Sequence, residues 1–287
     1  MTICISVSVS EGLVLAADST ASIQGKLQDQ KGNQTIGILK TYDNAQKLSH
    51  LKDYPIGTLN WGISQIGSRS VASLIKEFEY SLPSLEEENQ KIRERRMRGE
   101  SVNTNSHQYD AKDIAKELFE HVKNNYEGEF SKIPSDKRPP LGILVSGYSS
   151  NNFFPDQWLL NFPVSNDISE LRPDVNGNPS FGANWFGLTD AIIRLHWGRD
   201  DQMLDVIAKH FKVSIDEVRP LVDAFQYPVA FEGMPLQDAI DYTVYLVNVA
   251  IGRFRFVVGA PLCGGEVDVA VITPNDFTWV RRKSWRA

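Results

Sequence analysis

Thr2 is the residue of this chain whose position alone gives it chemistry. It follows the initiator methionine directly, and a small residue there lets aminopeptidases remove Met1, leaving an α-amine beside the Thr2 hydroxyl. Such an amine titrates near ~7.7–8.0, so at neutral pH an unprotonated fraction can take the hydroxyl proton; the residue is then a nucleophile carrying its own base. Two β-runs meet at Ser10-Glu11-Gly12, and that turn returns Asp18 to the neighbourhood of Thr2. The other reactive residue types form no pattern. Cys4 and Cys263 make neither a metal-spacing motif nor a disulfide framework. His50, His107, His121, His196 and His210 are scattered with no HExxH among them, so they read as single core or surface residues and no metal is expected. Ser146-Gly147 is not a nucleophile elbow, because the preceding glycine is misplaced.

The elements that must position Thr2 follow from periodicity. Ile3, Ile5, Val7 and Val9 alternate with Cys4, Ser6 and Ser8, as in a strand with one apolar face and one smaller, more polar face. Leu13 to Ala17 is apolar throughout, which predicts a strand buried on both sides. Thr20 to Asn44 is polar, with a β-like piece at Thr35 to Leu39, and reads as a long hairpin or loop. Ile56 to Gly62 reads as a strand. Val71, Leu74, Ile75 and Phe78 then fall at helical spacing, with Ser68 or Ser70 placed to cap. A charged helical arm covers about 85–109, and an amphipathic helix runs from Asp110 to Tyr126. Strands follow at Leu141 to Tyr148, Gln157 to Phe162 and Phe181 to Gly187. A helical insertion at about 188–231 carries pieces at 188–197, 201–211 and 213–225, the last with Ser214 and Glu217 at capping-box spacing. Pro235 to Ile251 is the strongest helix, with Pro235 suited to its first turn, and a final strand ends near Ile272.

Composition bounds the function class. A net charge of −6 argues against a nucleic-acid coat. No apolar run approaches the ~18 residues of a membrane span, and no basic patch with an apolar segment opens the chain, so neither membrane nor export is expected and the cytoplasm is the default.

Several of these blocks resemble the proteasome β-type N-terminal-nucleophile hydrolases, most closely the bacterial proteasome-related proteases. They are Thr2 with Glu11-Gly12 and Leu15-Ala16-Ala17-Asp18-Ser19, then Gln46-Lys47-Leu48 with Ile56 to Gly62, then Gly142 to Tyr148, and lastly Gly264-Gly265 with Val267-Asp268-Val269-Ala270-Val271-Ile272. The resemblance implies a single domain over 1–287 with an α+β fold, a four-layer αββα sandwich of two antiparallel sheets. It implies a threonine peptidase without cofactor, with Thr2 as nucleophile and Asp18 and Lys47 as its charge pair. Lys40 and Lys52 flank Lys47 in the same stretch. Gly62, Ser22, Cys263 and Gly264 fall at oxyanion or substrate-binding positions. Cys263 stands where the family has a serine, Ala260 where it has an aspartate, and Gly182-Ala183-Asn184 near its Gly-Ser-Gly. The implied partners are a peptide or unfolded-protein substrate, further copies of the chain in a ring or related assembly, and an ATPase unfoldase. An amidase acting on small amides and a catalytically weak structural subunit are the alternative readings.

Overall fold

A computed structural model of the chain describes residues 2–28, 34–98, 109–175, 178–258 and 261–284. Met1, His107, Ala260, residues 29–33 of the polar stretch and residues 99–108 of the charged arm lie outside them.

The first part of the chain forms strands β1 (Ile3–Val9), β2 (Gly12–Ala17), β3 (Ala21–Gln28), β4 (Gln34–Tyr42), β5 (Leu48–His50), β6 (Ile56–Gly62), β7 (Gln65–Ile66) and β8 (Arg69–Ser70). Helices α1 (Val71–Ser81), α2 (Leu85–Met97) and α3 (Ala111–Phe130) follow, then β9 (Leu141–Gly147), β10 (Asp156–Phe162), β11 (Ser169–Glu170) and β12 (Gly182–Gly187). The last part contains α4 (Asp190–Trp197), α5 (Asp201–Phe211), α6 (Ile215–Asp223), α7 (Leu236–Arg255), β13 (Asp268–Thr273) and β14 (Asp276–Arg281). One five-stranded sheet has the order β12-β1-β2-β13-β14, and a second has β11-β10-β9-β6-β5. Every pairing in them is antiparallel. The polar stretch is the β3–β4 hairpin, with Ala21 opposite Tyr42.

Three apolar clusters account for the packing. Cys4, Leu13, Leu15 and Ala17 of the first sheet meet Leu48, Leu59 and Leu144 of the second, so the sheets face one another. The outer face of the second sheet, with Ile56, Ile143 and Val145, packs on Leu74 and Phe78 of α1 and Leu118 and Val122 of α3. The outer face of the first, with Ile3, Ile5 and Val7, packs on Leu246 and Val247 of α7 and Ile192 of α4. The fold is thus mixed α+β with helices outside facing antiparallel sheets. No described helix is long and apolar enough to cross a membrane.

Strand β2 is buried along its whole length, as its continuous apolarity requires. Strand β1 is buried along all of its length too, so its Ser face is no outer surface. That face looks at the second sheet, where Ser6 Oγ donates to Gln157 Oε1 at 2.9 Å and Cys4 Sγ lies 3.5 Å from Asn60 O. A hydroxyl between sheets is tolerated because it is hydrogen-bonded. Helix ends follow their caps: Ser70 Oγ accepts from Ser73 N, and Ser214 and Glu217 close a capping box on α6. Pro235 is the residue before α7 and not in its first turn. The expected last strand is followed by another, β14, whose Phe277 and Trp279 join the cluster between the sheets. In the insertion, α5 and α6 pack on each other around Leu204, Ala208 and Val218.

Leu144 is fully buried between the sheets while Leu221 of α6 is 71% exposed. Urea denaturation is expected to show Leu144→Ala destabilised by about 2–5 kcal/mol and Leu221→Ala within about 0.5 kcal/mol of the parent.

Candidate active site

Where β2 ends, the chain delivers Asp18 into the interior with no exposed surface. Oδ1 accepts from Ile3 N at 2.9 Å and from Lys47 Nζ at 2.6 Å, and Oδ2 accepts from Gly264 N at 3.0 Å and Thr20 N at 3.2 Å. A carboxylate so removed from water is tolerable only with a cation and hydrogen bonds around it. Lys47 precedes β5; its carbonyl accepts from Asn60 N of β6 at 2.9 Å, and its ammonium also donates to Thr20 O at 2.5 Å. Of the three lysines of this stretch, only Lys47 reaches Asp18. Lys40 lies over the ring of Tyr42, and Lys52 donates to Leu82 O.

Thr2 is 6% exposed and is held through the peptide that follows it. Its carbonyl accepts from Leu188 N at 2.7 Å, while the N–H of the same peptide is the Ile3 donor to Asp18. Gly187 makes that approach possible: its φ is +89°, and a Cβ there would lie 2.0 Å from Thr2 O. Helix α4 starts two residues further on, at Asp190. Asp18 Oδ1 therefore binds Lys47 and the Thr2–Ile3 peptide at once.

The positions expected to serve oxyanion and substrate lie on several elements. Gly62 is exposed with φ +95°, and a Cβ would strike Pro140 O at 2.2 Å, so only glycine fits. Ile63 N points at β9, donating to Pro140 O, and Asn60 N points at Lys47 O. By the alternation of a β-ladder, Gly62 N–H is aimed to the Lys47 side of β6. Ser22 sits in β3 opposite Thr41, and its Oγ is buried with no hydrogen-bond partner among the described residues. Gly264 donates to Asp18 and accepts from Ser19 N at 3.0 Å; at Gly265, φ is +73° and a Cβ would meet Asp43 O at 2.7 Å. Cys263 is 2% exposed, and burial first, then the charge of Asp18, pushes its thiol up to about 12 against the opposing pull of Lys47. Burial likewise pushes up the Cys4 thiol. Both are weak S–H donors and not thiolates.

Thr2, Asp18, Lys47 and Gly264 are thus tied into one hydrogen-bonded set, with Cys263 in the field of its charges. Gly182-Ala183-Asn184 is not part of it. That segment pairs with Ser8, Val7 and Ser6, and Gly187-Leu188 is what touches Thr2. Sequence reasoning also missed Thr20, which donates and accepts main-chain bonds with Asp18 and Lys47 and fixes its hydroxyl on Asp43 Oδ1 at 2.9 Å. Its signal was adjacency to Asp18-Ser19. Among the described residues, no group of three or more His, Cys, Asp or Glu side chains could hold a metal ion. Searched against models of protein families and against curated proteins, the chain matches none.

Replacing Lys47 by Met leaves Asp18 buried without its cation and is expected to cost about 3–5 kcal/mol in urea denaturation; the same change at exposed Lys209 stays within about 0.5 kcal/mol. Buried protonated thiols predict that the native protein at pH 8 consumes no thiol reagent over minutes, whereas in guanidinium both cysteines react. A fast-reacting native thiol would contradict the burial of this site.

Proposed function

We propose that the chain is an N-terminal-threonine peptidase with the αββα sandwich of the proteasome-type N-terminal-nucleophile hydrolases. The observation that carries this reading is the buried Asp18 carboxylate, which binds the Lys47 ammonium and the Thr2–Ile3 peptide through one oxygen. The order of layers supports the fold: helices, sheet, sheet, helices.

In this mechanism Met1 is removed and the Thr2 α-amine takes the proton from Oγ as Oγ attacks the substrate carbonyl carbon. The carbonyl oxygen becomes an oxyanion that accepts from Gly62 N–H, and the Lys47 ammonium favours negative charge around Thr2. Collapse expels the leaving amine, which receives the proton held by the Thr2 ammonium, and leaves an ester on Oγ. Water, deprotonated by the same amine, hydrolyses the ester and restores Thr2. Holding the Thr2–Ile3 peptide at both its N–H and its C=O makes the nucleophile a fixed point, which lowers the entropic part of the barrier. The substrate class is a peptide or unfolded chain. Further copies of the subunit in a ring would enclose the site, an ATPase unfoldase would feed it, and the setting is the cytoplasm.

The buried Cys263 thiol favours a second reading, a structural subunit with weak activity, because an S–H donates less well than the hydroxyl of a serine. Two measurements separate them. For a peptidase, the intact mass shows loss of Met1, and Thr2→Ala abolishes both peptide hydrolysis and labelling by a threonine-directed electrophile. Retention of Met1 on the mature chain favours the structural subunit, and activity unchanged by Thr2→Ala overturns the mechanism.

A further inference from the structure

Arg172 lies two residues beyond β11, an edge strand of the second sheet, and reaches across to β12, an edge strand of the first. Its Nη1 donates to Phe181 O at 3.2 Å and its Nη2 to Ala183 O at 2.7 Å. Gly182 lets the guanidinium lie flat on β12, since a Cβ there would come within 2.5 Å of Nη1. No carboxylate pairs with this guanidinium among the described residues, and Nε is buried with no acceptor. Burial alone pushes its pKa down. A guanidinium has five N–H donors; with one from each Nη used on Phe181 O and Ala183 O and the Nε–H closed off from the cavity, the second N–H of each Nη remains for a ligand. Arg172 is half-buried, and an arginine withdrawn from water is ordinarily paired with an acid.

Beside it is a cavity of about 420 Å³, within the size range of small-molecule sites. Arg172 lines it together with Trp185, Phe186, Trp197 and Phe231, and exposed Gln226 stands at its margin. Among the described residues no acidic side chain lines it, and burial pushes the pKa of His196 down, so the imidazole adds no positive charge near neutral pH. Aromatic rings form much of the wall beside Asn184 and Gln226, and among the described lining residues the one formal charge is the guanidinium.

We propose that this pocket is a binding site for a small organic carboxylate with an aromatic or branched apolar body, its carboxylate on Arg172 and its body against Trp185, Trp197 and Phe231. The planar guanidinium matches a carboxylate and supplies the charge-assisted bonds that the two main-chain carbonyls do not. Aromatic walls take the apolar remainder and, with the low dielectric around Arg172, exclude phosphate and other fully hydrated anions. The site uses neither Thr2 nor Lys47, so it stands apart from the peptidase reading.

The full chain is titrated with 4-phenylbutyrate, with 4-phenylbutanamide and with inorganic phosphate, followed by tryptophan fluorescence and calorimetry. The carboxylate is expected to give a saturable response that the amide gives only at tenfold or higher concentration and phosphate does not give. Arg172→Met removes the response. Gln226→Glu, an isosteric change at an exposed position that does not threaten folding, places a negative charge at the margin and weakens the response at least fivefold. Absence of saturation by the carboxylate, equal binding of the amide, phosphate binding as tight as phenylbutyrate, or full binding by Gln226→Glu overturns the proposal.

Discussion

The structure depends on one desolvated carboxylate. Asp18 has no contact with water, and its two oxygens gather an ammonium and three main-chain N–H groups from Ile3, Thr20 and Gly264. Those donors come from the start of β1, the entry to the β3–β4 hairpin, the approach to β5 and the segment before β13. None of these segments has a strong reason of its own to stop where it does. An uncompensated charge in the interior would cost several kcal/mol, and that penalty brings them to one point. Thr2 is positioned as a by-product, because Ile3 N belongs to the peptide that leaves it.

The sheets make the burial possible. Strand β2 is apolar on both faces, with α7 on one side and the second sheet on the other, so the residue after its last strand position emerges inside the protein. Gly187, Gly62 and Gly265 then allow main chain to approach where any side chain would collide with a carbonyl oxygen. Backbone conformations with positive φ are acceptable at these points only because glycine has no Cβ.

Much of this was legible in the sequence, and the parts that were not share a cause. Alternation in β1, continuous apolarity in β2 and helical spacing in α1 are local patterns, and each element formed where the pattern put it. Lys47 and Gly264 were readable because they sit in runs of residue types that resemble a known family. Leu188 and Thr20 were not, since their role is a main-chain hydrogen bond that any residue type can make. The pairing of Gly182-Ala183-Asn184 with Ser8, Val7 and Ser6 was not readable either: strand register is set by partners across the sheet, and the sequence of β12 alone does not carry it. The serines of β1 were legible as a polar face but not as a buried one: the acceptor of Ser6, Gln157, lies 151 positions away.

Helices α5 and α6 carry a consequence of a different kind. They bury only Leu204, Ala208 and Val218 between them, and leave Val206, Phe211, Leu221 and Phe225 each more than 60% exposed. Their hydrogen bonds are therefore secured by a small local cluster and not by the sandwich. Amide exchange would open this pair on its own, at a free energy well below that of global unfolding, while β1 and β2 exchange only when the whole domain opens. On this packing the pair would form the weaker of two cooperative units, joined to the sandwich through α4 by the Arg194–Asp200 and Arg199–Asp223 ion pairs and remote from the carboxylate on which the stronger unit is centred.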